Sequence, residues 1–587
     1  MPLSKTVVGG LTALLVAGTL AAQQLPVVEK TLSNGLRLVM VERHEQPTIA
    51  FGWMARVGSA NERPGITGLA HLFEHMMFKG TRTLGTRDAK RDGELNDLQD
   101  KVQARIREEM SLLREQQRRG EIPNMMDPKA RTPRLKQLLD EYGALVKEQR
   151  TLIVKDEMDQ IYTQAGGTGI NASTSQDRTF YIISLPSNKL ELWMWIESDR
   201  IANPVFREFY SERDVILEER RQTLESRPGG LVGEAFNAMT WMAHPYSWEV
   251  IGWPSDIAQV TREQANAFFT TYYAPNNLTA VLVGDFDPEK ATALAERYLG
   301  RIPANPNGVP EVITLEPPQP AEQRMVAEVE TTPALQIEFK AVSAVHQDAA
   351  ALQALGGILG GAQMFAGRPG AGGGRPPTGR LNKALVLEKK VATNTSAAFR
   401  GMKYGGLFVL RATPAQGHSP EEMEPLLYAE IDRIAKEGVT EDELQRFKNA
   451  TQVGLYTRLE TNTGIRETLA QALAVGTVQD FQATPKRIQV VTREAVQQVA
   501  RQYLIRDHRN VLITHRKGGE APAAGRSGGG PAQGMLARIQ ETSDVAQLKT
   551  MLERVTRQVA EAPQDRKAGL EAAQKAIQER IQKLEGK

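Results

Sequence analysis

Apolar side chains between Leu95 and Leu152 return at three- and four-residue steps. Leu95, Leu98, Val102, Ile106, Met110 and Leu113 do so among Glu, Arg and Gln. After a break from Gly120 to Pro133, the pattern resumes with Leu135, Leu138, Tyr142, Leu145 and Leu152. That period is one face of a helix, so residues 91–155 are predicted to form an amphipathic, coiled-coil-like helical hairpin. Such a hairpin serves equally as packing on its own domain or as an arm for a partner.

Upstream the pattern is that of strands. Val27–Leu32 and Leu36–Val41 flank Ser33-Asn34-Gly35, an Asn-Gly turn that predicts a β-hairpin. A third strand over Thr48–Val57 leads into the glycine-bearing loop Gly58–Gly68, and a helix is expected from about Thr67 to Phe78. Further on, Thr261-Arg262-Glu263, Tyr272 and a strand around Val281 resemble Thr492-Arg493-Glu494, Tyr503 and a strand around Leu512. A repeat of this kind predicts two similar lobes. They are placed at residues 23–302 and 321–516, with the Pro-rich stretch 303–320 as linker. The Gly- and Pro-rich stretch 356–379 reads as a loop and lacks the Gly-Lys-Ser/Thr of a phosphate cradle. A Gly-rich linker at 517–534 precedes a helical tail at 535–587, in which Leu548, Leu552, Val555 and Val559 keep helical spacing.

Composition narrows the chemistry. The chain has 587 residues, 41% of them hydrophobic, and a net charge of only +2 from 72 basic and 70 acidic side chains. That balance argues against a nucleic-acid partner and against an acidic disordered chain. Cysteine is absent, which excludes disulfides, thiolate metal sites and a thiol nucleophile. Any metal must be held by carboxylates and by some of only 8 His. At the start, Lys5 precedes an apolar run from Val7 to Ala22 that ends in small residues, the form of a secretory signal peptide over residues 1–22. The expectation is an exported protein, periplasmic or secreted, with no stable membrane span once the signal is cleaved. An uncleaved anchor is the alternative.

The chemistry concentrates in His71-Leu72-Phe73-Glu74-His75. Positions i and i+4 of a helix share a face, so both imidazoles can reach one ion. Glu74 sits about a hundred degrees round the axis, where it can approach a metal-bound water without displacing either ligand. The order is the inverse of the commoner zincin motif. Two His and a carboxylate would leave one zinc position open, as in catalytic sites. The bland alternative is a His pair capping a polar core.

With Gly58-Ser59, Glu62, Gly68-Leu69-Ala70 and Met77-Phe78-Lys79-Gly80-Thr81, the motif resembles the inverzincin peptidases of the pitrilysin, insulinase and mitochondrial processing peptidase family, M16. The resemblance spans about residues 27–515. It implies an α+β fold of two similar lobes forming a clamshell, each a mostly antiparallel sheet flanked by helices. It also implies one Zn2+ per chain. The family pattern Glu-Arg-x-x-x-x-x-Glu matches Glu212 to Glu219, which carries the third-ligand role to Glu219 and a His-orienting role to Glu212. Glu218 would point elsewhere on the helix. Family members place the third ligand roughly seventy to eighty residues after the motif. Here Glu219 lies 144 positions beyond His75, and the excess coincides with the predicted hairpin, an insertion in the first lobe.

Gly166 to Thr174 resembles the family's active-site edge strand, which implies substrate contacts at Asn171 and Ala172. His244-Pro245-Tyr246 also matches a family motif but reads as structure. In the second lobe, Thr378-Gly379-Arg380-Leu381 matches the start of a family helix whose later Arg and Tyr bind substrate. Those positions fall near Val386 and Thr393, which cannot donate in the same way. The resemblance thus implies a zinc metalloendopeptidase acting on peptides or unfolded segments. It further implies a dimer, either with a family member that bears Arg and Tyr or with a second copy. The competing class is a non-catalytic binding or scaffold subunit.

Overall fold

A computed structural model of the chain describes residues 25–361, 379–518 and much of 548–584. The leader expected at 1–22, most of the stretch 356–379 and nearly all of the linker 517–534 lie outside the described residues. The chain divides into two units, Met1–Lys517 and Gly518–Lys587.

In the larger unit the strand patterns build two sheets. β1 (Val27–Thr31) and β2 (Arg37–Glu42) form the predicted hairpin, with Gly35 at φ +86°, the left-handed conformation its turn requires. β3 (Thr48–Ala55), β4 (Thr168–Thr174), β5 (Thr179–Pro186) and β6 (Leu278–Gly284) complete a sheet of order β1-β2-β6-β3-β5-β4. Only β2 and β6 run parallel, and every residue of β6 is buried. One face carries the helices of the site: α1 (Leu69–Met76), α2 (Ala89–Arg118), α3 (Pro133–Leu152), α4 (Leu190–Ala202), α5 (Phe209–Arg220) and α6 (Arg262–Tyr272).

The second lobe repeats this plan. β7 (Gln323–Val329), β8 (Ala334–Ala341), β9 (Ala392–Gly401), β10 (Gly406–Pro414) and β11 (Arg509–Arg516) take the order β7-β11-β8-β10-β9. That is the order β2-β6-β3-β5-β4 again, with one parallel pair at the same place. Helix α7 (Ala349–Gly360) follows β8 as α1 follows β3. After α8 (Asn462–Val475), helix α9 (Arg493–Tyr503) precedes β11 as α6 precedes β6. Thr261 and Thr492 are the N-caps of α6 and α9, accepting from the amides of Gln264 and Ala495. The short sequence repeat therefore marks a repeated sheet.

The lobes are joined by α8, which covers the outer face of the first sheet. Ile465, Leu469, Ala470 and Leu473 pack on Val39, Val41, Met54, Phe180, Val281 and Val283. Leu38 and Met40, on the opposite face of β2, enter the inner core. Burial on both faces is why Leu38–Val41 reads as a continuous apolar run. Arg466 crosses this layer and donates to the carbonyls of Phe51 and Ile183.

The hairpin is an insertion in the first lobe, as expected. Its ends meet at a Thr86–Ile153 bridge, and Asp88 and Thr132 cap its helices by accepting from the amides of Arg91 and Leu135. Val102, Ile106, Leu113, Leu135 and Leu138 form a core of its own. In the smaller unit, Leu548 and Val555 pack against Ala573, Ile577 and Ile581 of α10 (Gln564–Leu584), on the spacing read from the sequence. Among the described residues, no helix is long and apolar enough to cross a membrane.

The α8 contact yields a stability prediction. Leu469 is fully buried between the second lobe and the first sheet. Leu469→Ala should cost about 2–5 kcal/mol in chemical denaturation. A loss below ~1 kcal/mol would show that α8 does not hold the sheet.

Candidate functional site

Helix α1 has only eight residues, too few to be stable alone. Its apolar face, led by Phe73, sits among Phe206, Phe268, Phe269 and Tyr273. Both its ends are tied to buried polar side chains. At the N-terminus, the Glu62 carboxyl accepts from the amides of Gly68 (2.9 Å) and Ala70 (2.7 Å). Asp256 accepts from the amides of Gly65 and Thr67 and from the Thr67 hydroxyl, fixing the preceding loop. At the C-terminus, Arg200 Nε donates to the Met77 carbonyl at 3.0 Å. The Arg200 cation at the C-terminus complements the helix dipole there. Arg200 is itself held by Glu197, which also accepts from Trp53 Nε1 and the Tyr162 hydroxyl.

The clamp presents His71 and His75 to α5. Glu219 Oε2 lies 3.7 Å from His71 Nε2 and 3.5 Å from His75 Nε2. One donor atom from each of the three residues falls within 4.8 Å of the others, a group that could hold a metal ion. Two imidazole nitrogens and one carboxylate oxygen facing one point suit zinc's preference for N and O donors. Glu212, two turns before Glu219 on the same face of α5, lies 3.3 Å from His75 Nδ1, and Lys79 pairs with its other oxygen. Glu218 points away, to Arg221 and Gln222. Next to Glu219, Arg220 forks onto both oxygens of Glu234, which anchors this end of α5.

Electrostatics differ between the ligand candidates. Burial, with help from His75, pulls the His71 imidazole down to about 4, so it is neutral at neutral pH. Burial also lowers His75, but Glu212, Glu219 and Glu74 outweigh it and the net shift is upward. The Glu74 carboxyl is pushed up by burial, opposed by Thr174, whose hydroxyl donates to Oε2 at 2.6 Å. Among the described residues, the buried His71 Nδ1 has no hydrogen-bond partner, so His71, unlike His75, has no orienting carboxylate there.

Thr174 belongs to β4, an edge strand of the first sheet among the described residues. Asn171 and Ala172 lie on this strand, opposite Ile182 and Tyr181. Ala172 packs on the core with Ile170, whereas Asn171 is exposed on the other side of the strand. His244 stands apart from the metal group. It accepts from the Tyr246 amide, and the Tyr246 hydroxyl donates to Asp177 at 2.7 Å. In the second lobe, Arg380 forks onto Glu443, Val386 packs on the core and Thr393 is exposed.

The family assignment follows from whole-chain comparison. The model described as insulinase (peptidase family M16) matches residues 37–165 and 149–252, and that of the peptidase M16 inactive domain matches residues 259–451. The chain belongs to peptidase family M16. Among M16 relatives, zinc protease PqqE of Helicobacter pylori is 24% identical over 466 residues, which is 78% of this chain and 86% of that protein. A probable mitochondrial-processing peptidase subunit beta of Arabidopsis thaliana is 21% identical over 480 residues, 81% of this chain and 75% of that one. The crystal structure of a protease from Helicobacter pylori superposes with TM-score 0.66 at 21% identity, covering 84% of this chain and all of that one. The periplasmic protease PqqL from Escherichia coli gives TM-score 0.60 at 19% identity, covering 86% of this chain but 49% of PqqL. The M16 two-lobe fold is therefore shared at low identity.

Several residues of the site carried no assigned role in the sequence. Glu62 stands in the motif context, yet its part as a cap needs the loop closed around it. Arg200 and Glu197 did leave a signal: opposite charges three apart on a helix that carries the apolar run Leu192–Ile196. Glu62 gives a signed prediction. Burial pushes its carboxyl from 4.5 up to about 8, against the pull of its two amide donors. The folded chain then holds this proton more tightly than the unfolded one. The linked stability is complete below about 4.5 and is lost as pH rises through about 8, by at most about 1.4 kcal/mol per pH unit. Denaturation of metal-free wild type and Glu62→Gln should show the wild-type advantage shrinking across that interval. A difference independent of pH would mean the carboxyl is ionised throughout.

Proposed function

We propose that this chain is a zinc-dependent endopeptidase acting on peptides or unfolded segments. The observation that carries the reading is the convergence of His71, His75 and Glu219, with Glu74 on the same helix beside them. His71, His75 and Glu219 would hold the ion, and Glu212 would orient His75 through Nδ1. Zinc, when bound, supplies Lewis acidity that polarises a scissile carbonyl and acidifies water. Low proton affinity keeps His71 free as a ligand at neutral pH.

Glu74 is the proton carrier. Its Oε2 is engaged by the Thr174 hydroxyl, which leaves the other oxygen to take the proton of an attacking water. Burial raises the basicity of that carboxylate, in the direction a general base at neutral pH requires. The same carboxyl then returns the proton to the departing amine. Thr174 ties Glu74 to this edge strand of the sheet, so an extended substrate pairing along β4 at Asn171 and Ala172 would run beside the base. Extended pairing selects unfolded segments over folded surfaces.

A partner belongs to the same reading. Val386 and Thr393 stand where an Arg and a Tyr would serve substrate, so this chain would be the zinc-bearing half of a dimer. The names of two relatives point the same way for those proteins: one is a subunit beta, and this chain spans about half of PqqL. The apolar leader and the periplasmic PqqL support export to the periplasm or medium. The alternative, a non-catalytic scaffold, predicts protein without zinc.

Glu74→Gln decides the mechanism. The variant should retain zinc, measured by atomic absorption, while peptide hydrolysis falls by about 10²–10⁴. Wild-type rates in the variant would falsify the assignment of Glu74. Full activity of the isolated chain, with no gain on adding a family member that bears Arg and Tyr, would reject the partner.

A further inference from the structure

The inserted hairpin of α2 and α3 is the feature of the chain that the proposed chemistry leaves unused. Its apolar stripe faces inward on itself, as predicted. A second stripe on α2, however, is polar and equally buried: Asp92, Asn96, Gln99 and Gln103. Gln149 of α3 satisfies part of it, donating to Asp92 and Asn96 and accepting from Gln99. The remainder faces the segment that carries Glu212 and Glu219.

Arg207 is the junction. Its guanidinium is 1% exposed. Nε donates to Asp92 of the insertion at 2.5 Å. NH1 donates to the carbonyls of Lys79 (3.0 Å) and Leu84 (2.9 Å), and NH2 to that of Thr81. One side chain thereby joins the foot of the hairpin, the loop that leaves the His motif and the start of α5. Glu208, next in sequence, is held at φ +55°, a left-handed conformation a non-glycine residue keeps only when its surroundings impose it. Two more contacts follow along α5. The Tyr210 hydroxyl donates to Asp100 at 2.5 Å, and Arg213 NH2 lies 3.5 Å from Gln103 Oε1. Arg262 of α6 donates to the Asn96 carbonyl and to Asp100 from the side.

On a helix, positions 212 and 219 share one face, while 210 falls on the opposite one and 213 about a hundred degrees round. Helix α5 therefore shows its ligand face to His71 and His75 and its other face to the insertion. A rigid helix moves both faces together. Among the described residues, the polar contacts nearest the tip stay inside the hairpin: Glu109 with Thr132 and Arg134, and Glu115 with Arg118 and Arg119.

We propose that the foot of the inserted hairpin is a positioning element of the metal centre, in which Asp92, through Arg207, and Asp100, through Tyr210, set Glu212 and Glu219 against His71 and His75, while the tip is dispensable to it. The inference rests on the zinc reading of the site. Asp92 and Asp100 stand beyond the groups that touch a ligand, whose loss typically weakens metal binding by about 10–100-fold, so that range bounds their effect from above.

The test uses the full chain with three changes: Asp92→Asn, Tyr210→Phe, and replacement of residues 111–133 by a four-residue turn. Zinc affinity is read by competition with a chromophoric chelator, and ligand geometry by the visible spectrum of the cobalt-substituted protein. Asp92→Asn should weaken zinc by about tenfold and Tyr210→Phe by severalfold, both with altered cobalt spectra. The shortened tip should leave affinity and spectrum unchanged. Should Asp92→Asn fail to fold, Tyr210→Phe decides, since it removes one hydroxyl and leaves Asp100 partly solvated. Zinc-binding wild type with equal affinity and spectrum in Tyr210→Phe and in any folded Asp92→Asn overturns this inference alone, and so does a shortened tip that loses zinc as they do. A wild type that holds no zinc overturns the reading beneath it.

Discussion

An eight-residue helix that carries His71, Glu74 and His75 cannot hold itself, and the first lobe is arranged around holding it. Glu62 and Arg200 close its two ends, and the Tyr181 hydroxyl donates to the Phe73 carbonyl at its middle. Each anchor is buried, so each needs partners of its own. Glu197 pairs with Arg200 from the same helix and is itself held by Trp53 and Tyr162 from two other elements. The sheet thus supplies the walls, and buried polar contacts set the position of the helix within them.

The same device recurs at each element of the site. Arg207 with Asp92 and Arg220 with Glu234 fix the two ends of α5, one on each side of Glu212 and Glu219. Buried ion pairs contribute little net stability, because desolvation offsets their attraction. Apolar side chains of equal volume would hold the lobe together as well. What they would lack is direction: a guanidinium forked between a carboxylate and three carbonyls admits one placement, whereas a leucine admits several. The concentration of such pairs around the His motif follows from the need for geometry there.

These relations divide what sequence could reveal. Local periodicity and fixed spacing were legible: the Asn-Gly hairpin, the i, i+4 histidines, the inserted hairpin and its apolar stripe. Glu219 lies far along the chain and was reachable only through resemblance to a family pattern, since distance in sequence says nothing of distance in space. The polar stripe Asp92, Asn96, Gln99 and Gln103 could not be separated from an ordinary solvated helix face, because polarity does not report burial when the partner is another polar helix. Whether the hairpin packs on its own domain or reaches for a partner therefore stayed open until Arg207 and Tyr210 were seen against it. Glu62 was hidden for a related reason. It caps from outside the helix, across a loop.

The second lobe provides the contrast that explains the first. It repeats the order β2-β6-β3-β5-β4 as β7-β11-β8-β10-β9, and α7 follows β8 where α1 follows β3. Yet α7 reads Ala-Ala-Ala-Leu-Gln-Ala-Leu-Gly-Gly-Ile-Leu-Gly, with no charged or imidazole side chain. A helix without chemistry needs no directional clamp, and α7 is buried by aliphatic contacts in the second core. This lobe offers α8, whose apolar face closes the back of the first sheet. Burial on both faces makes that sheet a rigid floor. Rigidity in the floor is what lets short-range contacts at Glu62, Arg200 and Arg207 translate into fixed positions for His71, His75 and Glu219. The repeat has thus divided its labour, with one copy specifying geometry and the other supplying the support that makes geometry possible.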